Sequence, residues 1–255
     1  NSEFKVIGTS PPRTDVAPKV DGSAKYGIDV VLPGMLVGAI KAAPTVTGTL
    51  KSFDDSAARS MKGFHSTVAL PNGVIVLANT YWQAKSALEK VKVEFDPGKL
   101  GGIDSAKVSA LLHSGFNEQG AVVRNDGDAD KALAGAARVV EATYEVPYLA
   151  HACMEPMNCT VRANGDTAEV WVGTQSPQAV QAAAAKALGL EQDKVTVHMQ
   201  YLGGGFGRRG ESDYAMQAAT AAKASGRPVK LVWSREEDIQ HDFYRPAAAI
   251  RFRGG

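Results

Sequence analysis

The sequence predicts an α/β (α+β) fold, and two strand–turn–helix units carry the prediction. From Lys194 to Leu202 the residues alternate. Val195, Val197, Met199 and Tyr201 lie on one side, Thr196, His198 and Gln200 on the other, the two-residue period of a strand with one buried face. After a glycine-rich stretch, Ala215, Ala218, Ala219 and Ala222 recur at helical spacing, with Ser212 as N-cap and Gly226 and Pro228 as a stop. The earlier unit has a strand at Ala168 to Val172, a turn at Gly173 to Ser176 and a helix at Pro177 to Leu188. Ser176 is its cap, Pro177 takes the first helical position and Gly189 ends it. If the two strands run parallel in one sheet, both turns emerge at its carboxyl edge. Gln175 and the loop 203–210 would then share one crevice.

The rest of the chain divides around these units. Residues 1–97 read as a small α/β unit. Lys25 to Val31 and Met35 to Ala42 are strand-like on either side of Pro33-Gly34, and Asp54 to Lys62 has short-helix composition. Gly73 to Ala78 is an apolar strand. Trp82, Ala84, Ala87 and Leu88 mark a helix over Trp82 to Lys90, and Val91 to Phe95 alternates again. Residues 98–137 read as a connector with short helices at Ser105 to His113 and Ala129 to Ala137. Residues 138–255 form the second unit. It opens with a strand at Val139 to Val146, continues through a loop at Pro147 to Cys159 and includes a late strand at Val229 to Trp233. Ala248 to Arg253 alternates and meets Gly254-Gly255, half of a hairpin, as expected of one segment of a larger subunit.

Bulk composition narrows the function classes. The chain has 255 residues, of which 28 are basic and 27 acidic, so its net charge of +1 makes no case for nucleic acid. No apolar run approaches membrane-spanning length. Cys153 and Cys159 cannot build an iron–sulfur cluster and have no common zinc spacing, so they read as buried thiols. His65, Lys41, His151 and His241 read as structural or solvated.

The chemistry concentrates in Gly203-Gly-Gly-Phe-Gly-Arg-Arg-Gly210. Without side chains, backbone N–H groups can crowd a ligand, and Arg208 and Arg209 carry forked donors suited to oxyanions. A glycine-rich turn packed on its own sheet is the plain alternative. Gly205 to Gly210 also fits the dinucleotide pattern G-x-G-x-x-G, with Glu236 or Glu237 at a suitable distance, so a nicotinamide dehydrogenase stays open. Two bulky arginines where a pyrophosphate needs bare backbone argue against it.

The loop resembles the cofactor loop of the xanthine oxidase family of molybdenum hydroxylases, most of all the branch of isoquinoline 1-oxidoreductases and bacterial aldehyde dehydrogenases. Lys19-Val-Asp-Gly-Ser-Ala-Lys-Tyr-Gly-Ile-Asp-Val with Leu32-Pro-Gly-Met-Leu, Tyr148-Leu-Ala-His-Ala-Cys-Met-Glu-Pro-Met-Asn-Cys and Gly173-Thr-Gln-Ser-Pro-Gln extend the resemblance in family order over nearly the whole chain. The opening Asn1-Ser-Glu-Phe does not match the family.

The resemblance implies a hammerhead-type α/β domain followed by part of a molybdopterin-binding domain. It implies hydroxylation of an aldehyde or N-heterocycle, with the metal held by a pterin dithiolene and not by protein ligands. Gln175 is placed as amide donor to an oxygen ligand of the metal. Gly204, Gly205, Phe206 and Gly207 contact the cofactor through backbone, and Arg208 or Arg209 neutralises a phosphate or else pairs with Glu211 or Asp213. Arg209 stands where animal xanthine oxidases carry a substrate-binding glutamate, which speaks against purines. Glu155 reads as the carboxylate of a structural turn.

The catalytic glutamate is expected beyond Gly255, so no catalytic residue is assigned. The resemblance further implies the cytosine dinucleotide form of the cofactor, a separate small [2Fe-2S] subunit, and a cytochrome or other acceptor downstream. It favours a periplasmic over a cytoplasmic location. A non-catalytic relative kept for assembly is the remaining alternative.

Overall fold

A computed structural model describes residues 3–255, so Asn1 and Ser2 of the opening tetrapeptide lie outside the described residues. Helix α1 (Ala17–Val20) and a 3-10 turn at Gly27–Asp29 lead into β1 (Leu36–Ala42). Strand β2 (Thr49–Asp54), α2 (Ser56–Arg59), β3 (Phe64–Leu70), β4 (Gly73–Ala78), α3 (Tyr81–Leu88) and β5 (Lys92–Asp96) follow. The connecting stretch carries α4 (Ser105–Ser114) and α5 (Ala129–Ala134) before β6 (Val140–Val146). A hairpin of β7 (Asn158–Asn164) and β8 (Thr167–Val172) precedes α6 (Pro177–Leu188) and β9 (Val195–Met199). A 3-10 turn at Arg208–Gly210 opens onto α7 (Asp213–Ser225), then come β10 (Val229–Val232), α8 (Arg235–Gln240) and β11 (Ala248–Gly254).

One mixed sheet of seven strands organises these elements, in the order β3-β4-β1-β10-β7-β8-β9. Strands from residues 1–97 and from residues 138–255 therefore share it, joined where β1 runs parallel to β10 with Leu36 opposite Val229. Strand β4 is buried on both faces, and its alternation sorts two cores. Ile75 and Leu77 join the cluster under α6 and α7, while Val74, Val76 and Ala78 join the cluster under α3. Ala215, Ala218, Ala219 and Ala222 are buried on α7, as its spacing predicts, together with Tyr214, Gln217 and Ala221, and the small alanine side chains let the helix lie close on the sheet. Gly189 and Gly226 close α6 and α7 in the left-handed conformation that glycine adopts without strain. Strands β6 and β11 pair separately and antiparallel, so the half-hairpin expected at 248–253 finds its partner in β6.

Several expectations change. Lys25 to Val31 is not a strand. Asp29 Oδ2 accepts the Tyr26 N–H at 3.0 Å and closes a local turn, and Gly27 packs where a Cβ would stand 2.5 Å from Asn158 Oδ1. Trp82, expected on the packed face of its helix, is exposed, and α3 packs through Ala84, Ala87 and Leu88. Met199 and Tyr201 are exposed as well, because β9 is the sheet edge and ends at Met199. The loop expected over Pro147 to Cys159 yields to β7 at Asn158, and the polar run after Ser234 is helix α8, with Ser234 Oγ accepting the Glu237 N–H.

His241, read as solvated, is instead wedged between α8 and the end of β1. Its Nε2 lies 2.8 Å from the Ala43 carbonyl, and its Nδ1 lies 3.0 Å from Glu237 Oε2. Both ring nitrogens thus face acceptors, an arrangement satisfied only when both carry protons. Burial by itself lowers the His241 pKa, but the Glu237 hydrogen bond and charge, with Ala43, more than offset it. The net shift is upward from 6.5. A raised folded pKa means stabilisation that is complete below the unfolded value and lost as pH rises through the folded one. The thermal midpoint advantage of wild type over His241→Gln is expected to be larger at about pH 6 than at about pH 9. An advantage that grows toward high pH would contradict the assignment.

Candidate cofactor site at the carboxyl edge of the sheet

Strands β8 and β9 are parallel, with Val172 opposite Met199. Their outgoing turns therefore emerge together, and Gln175 meets the glycine loop as the strand pattern predicts. The contact is an interlock. Gln175 Oε1 accepts the Gly207 N–H at 3.0 Å, and the Gln175 N–H donates to the Arg209 carbonyl at 2.9 Å. A backbone N–H can only donate, so the amide oxygen must be the atom facing Gly207. The Gln175 amide nitrogen is left to point away from the loop, at an exposed position.

The loop itself is a bare backbone surface. A Cβ on Gly205 would stand 2.6 Å from Gln175 Oε1, and one on Gly203 would stand 2.4 Å from Glu155 Cβ. Gly204 and Gly207 take φ of +101° and +109°, open to glycine alone. Among the described residues the N–H groups of Gly204, Gly205 and Phe206 have no acceptor. The N–H of Gly207, expected to face the cofactor, is spent on Gln175. Phe206 also has a positive φ of 52°, and its ring is 64% exposed, close over Gly204.

The two arginines depart most from expectation. Arg208 is 1% exposed and Arg209 is fully buried, so neither guanidinium is offered to a ligand from this loop. Arg208 forks onto Asp213 with two bonds of 2.9 Å, the pairing held open in the sequence. Its Nε lies 3.3 Å from Asp242 Oδ1, and Tyr214, Trp233 and Phe243 surround it. Burial opposes its charge, yet Asp213, Asp242 and Asp238 outweigh that and raise its pKa. A short loop would need both arginines to extend outward to reach a phosphate. The carboxylates and carbonyls beneath it hold them inward instead.

Arg209 is the hub of the site. Its Nε bonds the Gly204 carbonyl, Nη1 the Gly173 carbonyl, and Nη2 both the Glu155 carbonyl and Oε2, each at 2.9 Å. Three chain segments thus converge on one side chain. Glu155 completes the joint. Its Oε2 also accepts the Gly203 N–H, and its Oε1 accepts Ile28 N–H and Asn158 Nδ2. The structural reading of Glu155 from the sequence therefore holds. His151 is likewise structural. Its Nδ1 is 2.9 Å from Asp242, with the ring packed behind Gly207. Cys153 and Cys159 are free buried thiols, and burial pushes the Cys159 pKa up. Tyr214, pushed up to about 12 by burial, donates to the Gly173 carbonyl.

Among the described residues no cluster of His, Cys, Asp or Glu could hold a metal ion. No helix of the described residues is long and apolar enough to cross a membrane. The dinucleotide reading is not favoured. A 3-10 turn with two inward arginines separates the glycines from α7, whose first turn carries Asp213 where a pyrophosphate would need positive potential. What the site offers is a ring of free N–H groups, a fixed carboxamide and no protein metal ligands. That donor set suits an organic cofactor carrying its own metal.

Comparison with known proteins agrees. A family model described as "Molybdopterin cofactor-binding domain" matches residues 112–255. The isoquinoline 1-oxidoreductase subunit beta of Brevundimonas diminuta is 35% identical, over 98% of this chain and 33% of its own length. The membrane-bound aldehyde dehydrogenase [pyrroloquinoline-quinone] of Gluconacetobacter polyoxogenes is 33% identical, over 99% of this chain and 34% of its own length. The fold matches the solved aldehyde oxidoreductase of Desulfovibrio gigas with a TM-score of 0.75 at 21% identity, covering 95% of this chain and 32% of that one. The fold and the family match together define an α/β module of the molybdopterin-binding kind. The chain belongs to the molybdopterin cofactor-binding subunits of the xanthine oxidase family. It spans about a third of the length of the curated relatives it matches.

Proposed function

We propose that this chain is the cofactor-cradling part of the molybdenum-binding subunit of an oxidoreductase. The reaction hydroxylates an aldehyde or an N-heterocyclic aromatic carbon, with water as the oxygen source. The observation that carries this reading is the interlock of Gln175 with Gly207, beside the unpaired N–H groups of Gly204, Gly205 and Phe206. When bound, the molybdenum pterin would supply the two-electron oxidation that none of these side chains can perform. The chain's own residues bind and orient. Gly205 and Phe206 would donate backbone hydrogen bonds to the cofactor, and Gln175 would direct its amide N–H groups at an acceptor without titrating. The exposed Phe206 ring would keep water from the cofactor face. Arg208 is assigned a supporting role beneath the loop in place of phosphate neutralisation. Glu155, which touches the loop, has both oxygens engaged and is not free to act as a base. The base is assigned to a glutamate elsewhere in the subunit.

Finer features belong to the same proposal. The cofactor is the cytosine dinucleotide form, and electrons leave through a small [2Fe-2S] subunit to a cytochrome or other acceptor. The location is periplasmic in preference to cytoplasmic. The full-length protein, assayed with an aldehyde or a quinoline-type heterocycle and an artificial electron acceptor, is expected to place oxygen from ¹⁸O-labelled water in the product. Product oxygen drawn from dioxygen, or turnover that requires a nicotinamide, would overturn the reading.

A further inference from the structure

Phe206 holds a φ of 52°, in the left-handed region that a residue with a Cβ occupies only when its surroundings over-determine it. Its ring is mostly exposed, so side-chain packing does not hold it there. The backbone that follows it is restrained. The carbonyl of Phe206 and the N–H of Gly207 belong to one peptide plane. Arg245 Nη2 donates to the carbonyl at 2.8 Å, and Gln175 Oε1 accepts from the N–H at 3.0 Å. The plane is gripped at both ends.

Arg245 is itself anchored. Its N–H and C=O bond the C=O and N–H of Leu149 at 2.9 and 3.3 Å in an isolated antiparallel bridge. The clamp therefore ties the glycine loop to the segment 148–151 and to the approach to β11.

We infer that Arg245 is a positioning residue of the cofactor site. With Gln175 it fixes the Phe206–Gly207 peptide plane, and thereby holds the Gln175 amide and anchors the end of the loop next to the free N–H groups of Gly204, Gly205 and Phe206. The inference rests on the function proposed above. Arg245 is exposed and takes no part in the buried ion-pair network of Arg208 and Arg209, so its loss leaves that network intact. Because Arg245 and Gln175 act on one peptide, their contributions are coupled. Once either grip is lost, the other no longer defines the plane.

The test uses full-length holoenzyme and reads molybdopterin retained after dilution and gel filtration. Arg245→Met is expected to keep the wild-type melting midpoint and to release molybdopterin about tenfold faster, with Arg245→Lys recovering part of the loss because one N–H of its ammonium can reach the Phe206 carbonyl. Gln175→Met should show at least as large a loss, since it also removes the amide donor, and the double variant should release no faster than Gln175→Met alone. Wild-type retention in Arg245→Met would overturn the inference. So would single-variant effects that multiply in the double variant, the behaviour of independent contacts. Should Arg245→Met fail to fold, Arg245→Lys combined with Gln175→Met supplies the same additivity test. A wild-type protein with no molybdopterin would instead count against the proposed function.

Discussion

Replacing Arg209 with methionine is expected to destabilise the protein by about 3–5 kcal/mol, enough to consume much of a domain's usual stability. The reason is what stays behind. Glu155 keeps its place in the interior without its cation, and the carbonyls of Gly173, Gly204 and Glu155 lose a donor that water cannot easily replace. Methionine fills similar volume, so the loss reports charge and hydrogen bonding more than a cavity. Arg209→Lys should recover little, because one ammonium cannot reach three segments. Adding Glu155→Gln to Arg209→Met should restore part of the stability by removing the stranded charge. Thermal midpoints of the full-length variants decide it. A shift equivalent to less than about 1 kcal/mol in Arg209→Met would show that the buried pair is not the joint of the site.

The second large effect is functional. Gly205→Ala would bring a Cβ to 2.6 Å from Gln175 Oε1 and 2.9 Å from its Cδ. That clash is relieved by swinging the glutamine away, a cheap motion for a flexible end, so the melting midpoint should change little. The interlock with Gly207 is lost as the glutamine leaves, and a free loop N–H is shielded. Retained molybdopterin is expected to fall about tenfold, the equivalent of roughly 1.4 kcal/mol. Gly203→Ala makes the contrast. Its Cβ would stand 2.4 Å from Glu155 Cβ and 3.3 Å from the Glu155 backbone nitrogen, which cannot move aside, so that variant should lose stability first. Equal cofactor content in Gly205→Ala and wild type would separate this loop from cofactor binding.

How much of this was legible in the sequence follows from the range of each interaction. Strand β9 announces itself by alternation and leads through the glycine loop to α7, and β8 runs within a few residues into a turn and α6. Their parallel pairing and the meeting of Gln175 with the loop follow from topology alone. Strand β7 was hidden among turn formers, although Asn164-Gly165 before Thr167 is a hairpin signal that would have found it. Helix α8 likewise carries a legible Ser234 cap with Glu237 three residues on.

The inward turn of the arginines was not legible. A charged side chain in a glycine loop reads as exposed, and the groups that bury Arg209 lie 36 and 54 positions away at Gly173 and Glu155. Only the folded sheet brings them together. Arg245, remote in sequence from the loop and preceded by Phe243 and Tyr244, gave no local sign of its bond to Phe206.

The most direct test is the molybdenum and molybdopterin content of the full-length protein purified from its native source. About one molybdenum per chain is expected, with a pterin-bound nucleotide released by mild acid as cytidine monophosphate. Protein that folds and carries neither molybdenum nor pterin would contradict the assignment of the 203–210 loop as a molybdopterin cradle.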